Sequence, residues 1–379
     1  MKIVIALDKF KGSLSAPQAC GIVRDTLLAV RTDLEVVVKP MADGGDGTAE
    51  ALHSALDGEC ISLRVTGPMR GNDVDARYLW IDRERMAVVE MASASGLVLL
   101  RPEQRNPMET TTYGTGELIR DAIKRGARKI LLGVGGSATV DGGVGAAMAL
   151  GWRLLDVRGE PVGFGGGELE RMVRIERPES SRGVAAPTTT WPNLEVLCDV
   201  DNPLCGRQGA AHVFGPQKGA SPEMIERLDA GLRHLAELVK TQLGKDIADE
   251  PGAGAAGGLA FGALAFMNAC LVAGVDAVAE AIDLDAALRG ADWVITGEGR
   301  FDEQSLRGKV VSGVTKRARK LGVKVAVLAG SVAFAEQQWR QHDMQIVLAM
   351  QREGIGLESA ITNARRLLAE RAHELAVQL

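Results

Sequence analysis

Lys2-Ile3-Val4-Ile5-Ala6-Leu7-Asp8-Lys9-Phe10-Lys11-Gly12-Ser13-Leu14-Ser15-Ala16-Pro17 passes from an unbroken apolar run into a charged turn and then into a helix start. An apolar run of that length reads as a strand covered on both faces, as in a parallel sheet. Ser15 supplies an N-cap, Pro17 fits the first turn, and Ile22, Val23, Thr26, Leu27 and Val30 mark one helical face. A second strand at 34–38 and a helix at 48–56, stopped by Gly58, repeat the unit. Near the other terminus, strands at 293–295, 323–328 and 345–348 alternate with helices at 310–321 and 357–377. Both chain ends therefore read as parts of one parallel sheet.

The middle has a different texture. Runs at 61–66, 74–81 and 86–90, joined by turns such as Gly67-Pro68-Met69-Arg70-Gly71-Asn72, predict an antiparallel or mixed sheet. A Pro-, Ser- and Thr-rich stretch at 176–192 reads as an exposed connection, after which 194–197 resumes as strand. The expected fold is α/β with two domains. One is a Rossmann-like three-layer α/β/α domain whose parallel sheet is built from both chain ends, 1–60 plus 290–379; the other is an inserted α/β domain with a mixed sheet, 61–289. A length of 379 residues suits two such domains.

A net charge of −5 leaves no basic stripe for nucleic acid, so an anionic ligand needs local cations. The five cysteines, Cys20, Cys60, Cys198, Cys205 and Cys270, are scattered without metal-ligand spacing, which points to a reducing, cytoplasmic setting. The apolar run at 3–7 is too short for a secretory leader. Residues 251–275 carry no charge and are long enough to span a bilayer, but their first half is mostly Gly and Ala and Asn268 interrupts the second. A phosphate loop leading into a buried helix is the better reading, and no membrane association is expected. The five histidines form no pair with ligand spacing.

Function is carried by separated glycine-rich segments. Ala42-Asp43-Gly44-Gly45-Asp46-Gly47-Thr48, Gly133-Val134-Gly135-Gly136-Ser137-Ala138, residues 251–258 and Gly297-Glu298-Gly299-Arg300 all look like loops that let backbone N–H groups approach anionic oxygens. The 133–138 segment also satisfies a dinucleotide pattern after a strand, with Asp156 18 residues past Ala138, so a nicotinamide oxidoreductase is one alternative. No G-x-x-x-x-G-K-[ST] string occurs, and a phosphotransferase here must assemble its phosphate clamp from several loops.

Asp8 and Lys11 follow the first strand, where open α/β sheets place ligands, although a solvated turn explains them equally well. Asp43 and Asp46 flank glycines before a helix; one can act as a base toward a hydroxyl, and Asp46 can instead be an N-cap. Asp199 and Asp201 offer oxygens to a hard cation or form a turn before Pro203. Lys218 sits in a flexible-looking turn, and its alternative is a solvated surface lysine. Glu298 or Asp302 can bind Mg2+, and Arg300 or Lys309 can neutralise phosphate charge, unless Arg and Asp merely pair.

Taken together, these strings resemble the bacterial class I glycerate kinases along nearly the whole chain. The matches include Asp8 through Ala16, Ala42 through Thr48, Gly114-Thr115-Gly116-Glu117-Leu118-Ile119, Gly135-Gly136-Ser137-Ala138-Thr139, Cys198 through Leu204, Phe214 through Ala220, Pro251 through Gly258, and Thr296 through Gly299 with Asp302, Ser305 and Lys309. The resemblance implies ATP- and Mg2+-dependent phosphorylation of D-glycerate, usually to 2-phosphoglycerate, in the cleft between two α/β domains. On that basis Asp43 is the leading base, with Asp8 and Lys309 beside it in the catalytic set. Lys11 and Arg300 serve the substrate or the transferring phosphate, and Asp199, Glu298 and Asp302 serve the metal. Ser13, Asp46, Gly135, Gly136, Ser137, Thr139, Lys218, Gly254, Gly257, Gly297 and Gly299 line the substrate and phosphates. The chain departs from the family where Leu7-Asp8-Lys9 replaces Pro-Asp-Ser, at Asp46, at Val140 where Asn is common, and at Val311. A kinase for another small hydroxy acid and a non-catalytic phospholigand sensor remain as alternatives. A homodimer is compatible with the sequence.

Overall fold

The computed structural model describes residues 1–178, 191–306, 308–333, 335–351 and 356–379. Most of the stretch expected to form an exposed connection, its residues 179–190, lies outside these. The chain divides into two compact units. One comprises Met1–Asp43, Glu50–Asp57 and Ala273–Leu379, and the other Gly44–Ala49 and Gly58–Val272.

In the first unit, Lys2–Leu7, Glu35–Val38, Trp293–Phe301, Lys324–Val332 and Met344–Ala349 form one five-stranded sheet, all of whose neighbours are parallel. Numbered within the unit, the strands lie in the order 2-1-3-4-5. Residues 3–7 are fully buried, as the apolar run requires. Alternation splits that run between two faces. Ile3, Ile5 and Leu7 join Ile295 and Leu328 in a core closed by Cys20, Val23 and Leu27 of helix Ala16–Val30 and by Leu368 and Leu375 of helix Ala364–Gln378. Helix Val310–Lys320 packs against the strands as well, burying Val310, Val314 and Ala318. Burial of each large aliphatic side chain contributes about 1.5–3 kcal/mol.

The second unit carries a six-stranded sheet. Cys270–Val272, Asn193–Leu197, Lys129–Gly133 and Met86–Glu90 run parallel in that order, and Asp73–Ile81 and Glu59–Thr66 extend it antiparallel. This is the mixed sheet expected from the sequence. The longest helix, Pro222–Leu243, is additional to the sequence outline; the Ser221 hydroxyl caps it by accepting from Met224 N–H at 3.3 Å. Helix Ala255–Phe266 is almost entirely buried in this unit, and among the described residues no helix is long and apolar enough to cross a membrane.

Three local expectations are corrected. The helix expected over 357–377 is two, Leu357–Thr362 and Ala364–Gln378, divided at Asn363 (φ −101°, ψ 14°), whose side-chain amide donates to the Ser359 carbonyl at 2.8 Å. Residues 251–258 are not an open loop: Ala256 (φ 54°), Gly257 (φ 68°) and Gly258 (φ 87°) make a buried left-handed turn, with the α-hydrogen side of Gly257 facing the Thr139 carbonyl. Most consequentially, Gly297-Glu298-Gly299-Arg300 is strand. It pairs in register with Lys324–Val332, and a β-carbon at Gly297 would fall 1.7 Å from the Leu328 carbonyl oxygen. Since that obstacle is backbone, Gly297→Ala is expected to destabilise the protein by about 3 kcal/mol or more. Urea unfolding checks this, and an unchanged midpoint would contradict the packing.

Candidate active site

The first unit has a topological switch point between Lys2–Leu7 and Trp293–Phe301, since successive connections leave these strands in opposite directions. Open α/β sheets bind ligands outside the carboxyl ends of the strands at such a point. Leu7 pairs with Gly297, and Asp8 N–H donates to the Gly297 carbonyl at 2.9 Å, so Asp8 emerges beside Glu298. Met41 N–H donates to the Leu7 carbonyl at 2.9 Å, which brings the segment ending in Asp43 to the same edge.

These carboxylates feel one another. Burial and then the Asp43 charge push the Asp8 carboxyl up to about 7, against the Lys9 backbone N–H, which it accepts at 2.7 Å, and the Lys9 charge. Glu298 is also pushed up to about 7, chiefly by burial; the Ser305 hydroxyl and Lys309 pull it back, and the Asp302 and Asp43 charges add to the rise. Its Oε1 is buried with no hydrogen-bond partner. A buried oxygen left unsatisfied among carboxylates suits a proton, a hydroxyl or a cation.

The other predicted residues of this unit take distinct places. Lys11 is exposed in the tight turn closed by the Phe10–Leu14 bridge, and its N–H lies against Gly299. The Ser13 hydroxyl donates to the Phe10 carbonyl at 2.9 Å. Arg300 is largely exposed and pairs with Asp302 at 3.2 Å, and Lys309 is half-buried immediately before helix Val310–Lys320. Gly297 and Gly299 serve strand packing as described.

In the second unit the segments 44–48 and 133–139 lie together. A β-carbon at Gly135 would come 3.2 Å from the Cα of Gly45, and one at Gly136 would come 3.1 Å from the Asp46 carboxylate. The 136–138 backbone pairs with 95–97: Leu97 N–H donates to the Gly136 carbonyl at 2.8 Å and Ala138 N–H to the Ser95 carbonyl at 3.0 Å. Ser137 and Thr139 are buried, and the Thr139 hydroxyl has no partner. Lys218 is not a solvated lysine. It is buried, and its Nζ donates to the Thr139 carbonyl at 2.7 Å. Gly254 is also buried, against the Pro203 carbonyl. Asp199 is exposed just beyond strand Asn193–Leu197.

The nicotinamide alternative finds no support in this arrangement. After Gly133 the chain pairs with 95–97 and helix Val144–Ala149 starts late, so no helix N-terminus directly follows the glycines. Asp156 accepts instead from the N–H groups of Arg158 (2.8 Å) and Glu160 (3.1 Å) in its own turn.

Two carboxylates that sequence reasoning missed organise this unit. Glu90, at the end of its parallel strand, accepts from Ala49 N–H at 3.3 Å and from the Gly47 and Thr48 N–H groups, capping helix Thr48–Ala55. Its signal was available, since it ends a strand just as Asp8 does. Asp141 is fully buried and accepts from Thr112 N–H (2.8 Å), the Thr112 hydroxyl (2.9 Å), Gly143 N–H (3.1 Å) and Gly145 N–H (3.3 Å). Among the described residues no group of three His, Cys, Asp or Glu side chains is arranged to hold a metal.

The sequence model of the Glycerate kinase family matches residues 3–379. The chain belongs to the glycerate kinase family. It is 44% identical over 375 residues to a glycerate kinase of Halalkalibacterium halodurans, covering 99% of this chain and 97% of that one. To the glycerate 2-kinase of Escherichia coli K12 it is 43% identical over 350 residues, with 92% and 90% covered. The crystal structure of a Salmonella typhimurium LT2 protein assigned as glycerate kinase 2 matches the fold with a TM-score of 0.89 at 42% identity, covering 100% of this chain and 98% of that one. The activity is that of a kinase with an alcohol group as acceptor and ATP as phosphoryl donor.

For a glycerate kinase family member, the self-repelling carboxylates carry a cost in stability whose sign can be worked out. Asp8 binds its proton more tightly folded (about 7) than at the ordinary value of 3.8. Its contribution to stability is therefore full below the ordinary value and drains away as pH rises toward about 7. Asp8→Asn is expected to raise Tm at pH 8, with the gain shrinking toward pH 5. Thermal unfolding across that range tests it, and a pH-independent difference would show that Asp8 is not held neutral.

Proposed function

We propose that this chain phosphorylates D-glycerate on its 2-hydroxyl, with ATP as donor and Mg2+ as the ion. The observation that carries this reading is the gathering of Asp8, Asp43 and Glu298 at the switch point of the parallel sheet, with Lys309 acting on Glu298. Phosphoryl transfer makes little covalent demand on a protein; it needs a proton acceptor, charge neutralisation and alignment. Asp43 accepts the hydroxyl proton as the glycerate oxygen bonds to the γ-phosphorus and the bond to the ADP oxygen breaks. Lys309, and Lys11 from its exposed turn, neutralise carboxylate and phosphate charge. Arg300 exchanges its exposed pairing with Asp302 for the ligand. The segment 135–139 cradles the nucleotide phosphates with its backbone N–H groups.

Carboxylate oxygens are the donors a hard cation prefers, and Mg2+ commonly takes only one or two of them beside phosphate oxygens. The unpartnered Glu298 Oε1 fits that role, with Asp302 and Asp199 as further candidates. Bound Mg2+ would neutralise negative charge on the phosphates.

Purified protein with ATP, D-glycerate and Mg2+ is expected to yield 2-phosphoglycerate, identified by 31P NMR against the 2- and 3-phospho standards. The 3-phospho isomer would move the acceptor hydroxyl, and no product from folded protein would remove glycerate as substrate. Asp43→Asn is expected to lower turnover by about two to four orders of magnitude. Near-normal turnover in the folded variant would take the base role from Asp43.

A further inference from the structure

Lys218 closes the short turn Pro216–Lys218, yet its side chain runs inward until only 1% of the residue is exposed. Its Nζ is spent on a backbone carbonyl, that of Thr139, at 2.7 Å. A group so thoroughly covered does not reach a ligand arriving from solvent. Burial pulls the ammonium down to about 7, and the Asp141 charge is what opposes that pull. Asp141 in turn gathers Thr112, Gly143 and Gly145. Close by, the Thr110 hydroxyl donates to the Ala138 carbonyl at 2.8 Å, and Gly142 N–H donates to the Gly257 carbonyl at 3.0 Å. The chain from 138 to 145 is thus the meeting point of three distant segments, and Lys218 is the one cation buried there among the described residues.

We infer that Lys218 is a positioning residue: with Asp141 as its buried counter-charge, it fixes the backbone of residues 135–139 for the ligand of that segment and does not touch the ligand itself. Assigning that ligand as the nucleotide phosphates rests on the function proposed above. Other contacts hold the same segment, those of Leu97 with Gly136 and of Ser95 and Thr110 with Ala138, so losing Lys218 releases the Thr139 carbonyl while the residues before it stay anchored. Such a loss displaces donor groups without removing them, which is felt in ligand affinity before it is felt in the fold.

Ser137→Ala reports on the segment directly, so the test compares it with Lys218→Met. Lys218→Met is expected to raise KM for ATP about tenfold or more while KM for glycerate stays within about twofold, and Ser137→Ala to move the same constant. Lys218→Met leaves Asp141 uncompensated and is expected to lower Tm. The double variant Lys218→Met/Asp141→Asn removes both charges but also one of the two oxygens that accept from Thr112, Gly143 and Gly145, and it is expected to recover part of the lost Tm while KM for ATP remains raised. That split separates positioning from stability, and the double variant decides the matter should the single one fail to fold. If both Lys218→Met and Ser137→Ala raise the glycerate constant instead, the positioning role stands and the assignment of the segment to nucleotide falls. Unchanged constants in folded protein, or a constant moved by Lys218→Met and not by Ser137→Ala, overturn the inference.

Discussion

The parallel register that sets Leu7 against Gly297 is the constraint on which the first unit's chemistry depends. Apolar burial along residues 3–7 and 293–295 holds the two strands together, and their shared register decides which residues emerge side by side at the carboxyl end. Those residues are Asp8 and Glu298, two groups that would otherwise avoid each other. The sheet supplies the free energy that their desolvation costs. The glycines at 297 and 330 belong to the same constraint, because they let strands Trp293–Phe301 and Lys324–Val332 continue past the point where side chains would collide.

The second unit solves a different problem by a different route. Its glycine-rich segments are irregular, so they are held by buried acceptors that collect N–H groups from several places: Glu90 for the start of helix Thr48–Ala55, and Asp141 for the chain that follows the glycines. Burial pushes both carboxyls up while the N–H donors they collect pull them back, and each donor taken removes one way for the loop to move. Where the first unit uses strand register as its ruler, the second uses hydrogen-bonded hubs.

The strands were legible because apolar runs and alternation are local properties of the sequence. The parallel sheet from both chain ends and the mixed sheet between follow from them. The end of a strand is less legible. Gly297-Glu298-Gly299-Arg300 looks like a loop in isolation, since glycine and charge are loop signals; what lets it run as strand is the pairing with Lys324–Val332, where Gly330 lies against the Gly299 carbonyl. The carboxylates Asp8 and Asp43 could be picked out by their place after strands, and Glu298 because the apolar run before it ends at 295 although the strand itself continues to Phe301. Asp141 could not, because its importance lies in partners far away in sequence. Lys218 illustrates the remaining gap: its position in a Gly-Pro turn suggests the surface, and only the packed structure shows that its side chain points inward. The split of the C-terminal helix falls at one residue, Asn363, whose backbone departs from helical angles, and apolar periodicity does not register so local a change.

The first strand has a long wait for its neighbour. Ile3 pairs with Trp293, so roughly 290 residues must leave the ribosome before that edge of the sheet can close. At about 5–20 residues per second this takes on the order of 15–60 s. The second unit, nearly continuous from Gly58 to Val272, completes during that interval. Folding of that unit shortens the effective loop that the chain entropy must close between the strand at 2–7 and the strand at 293–301. Until then residues 3–7 have only the strand at 35–38 beside them, and their other edge is open to any strand that reaches it.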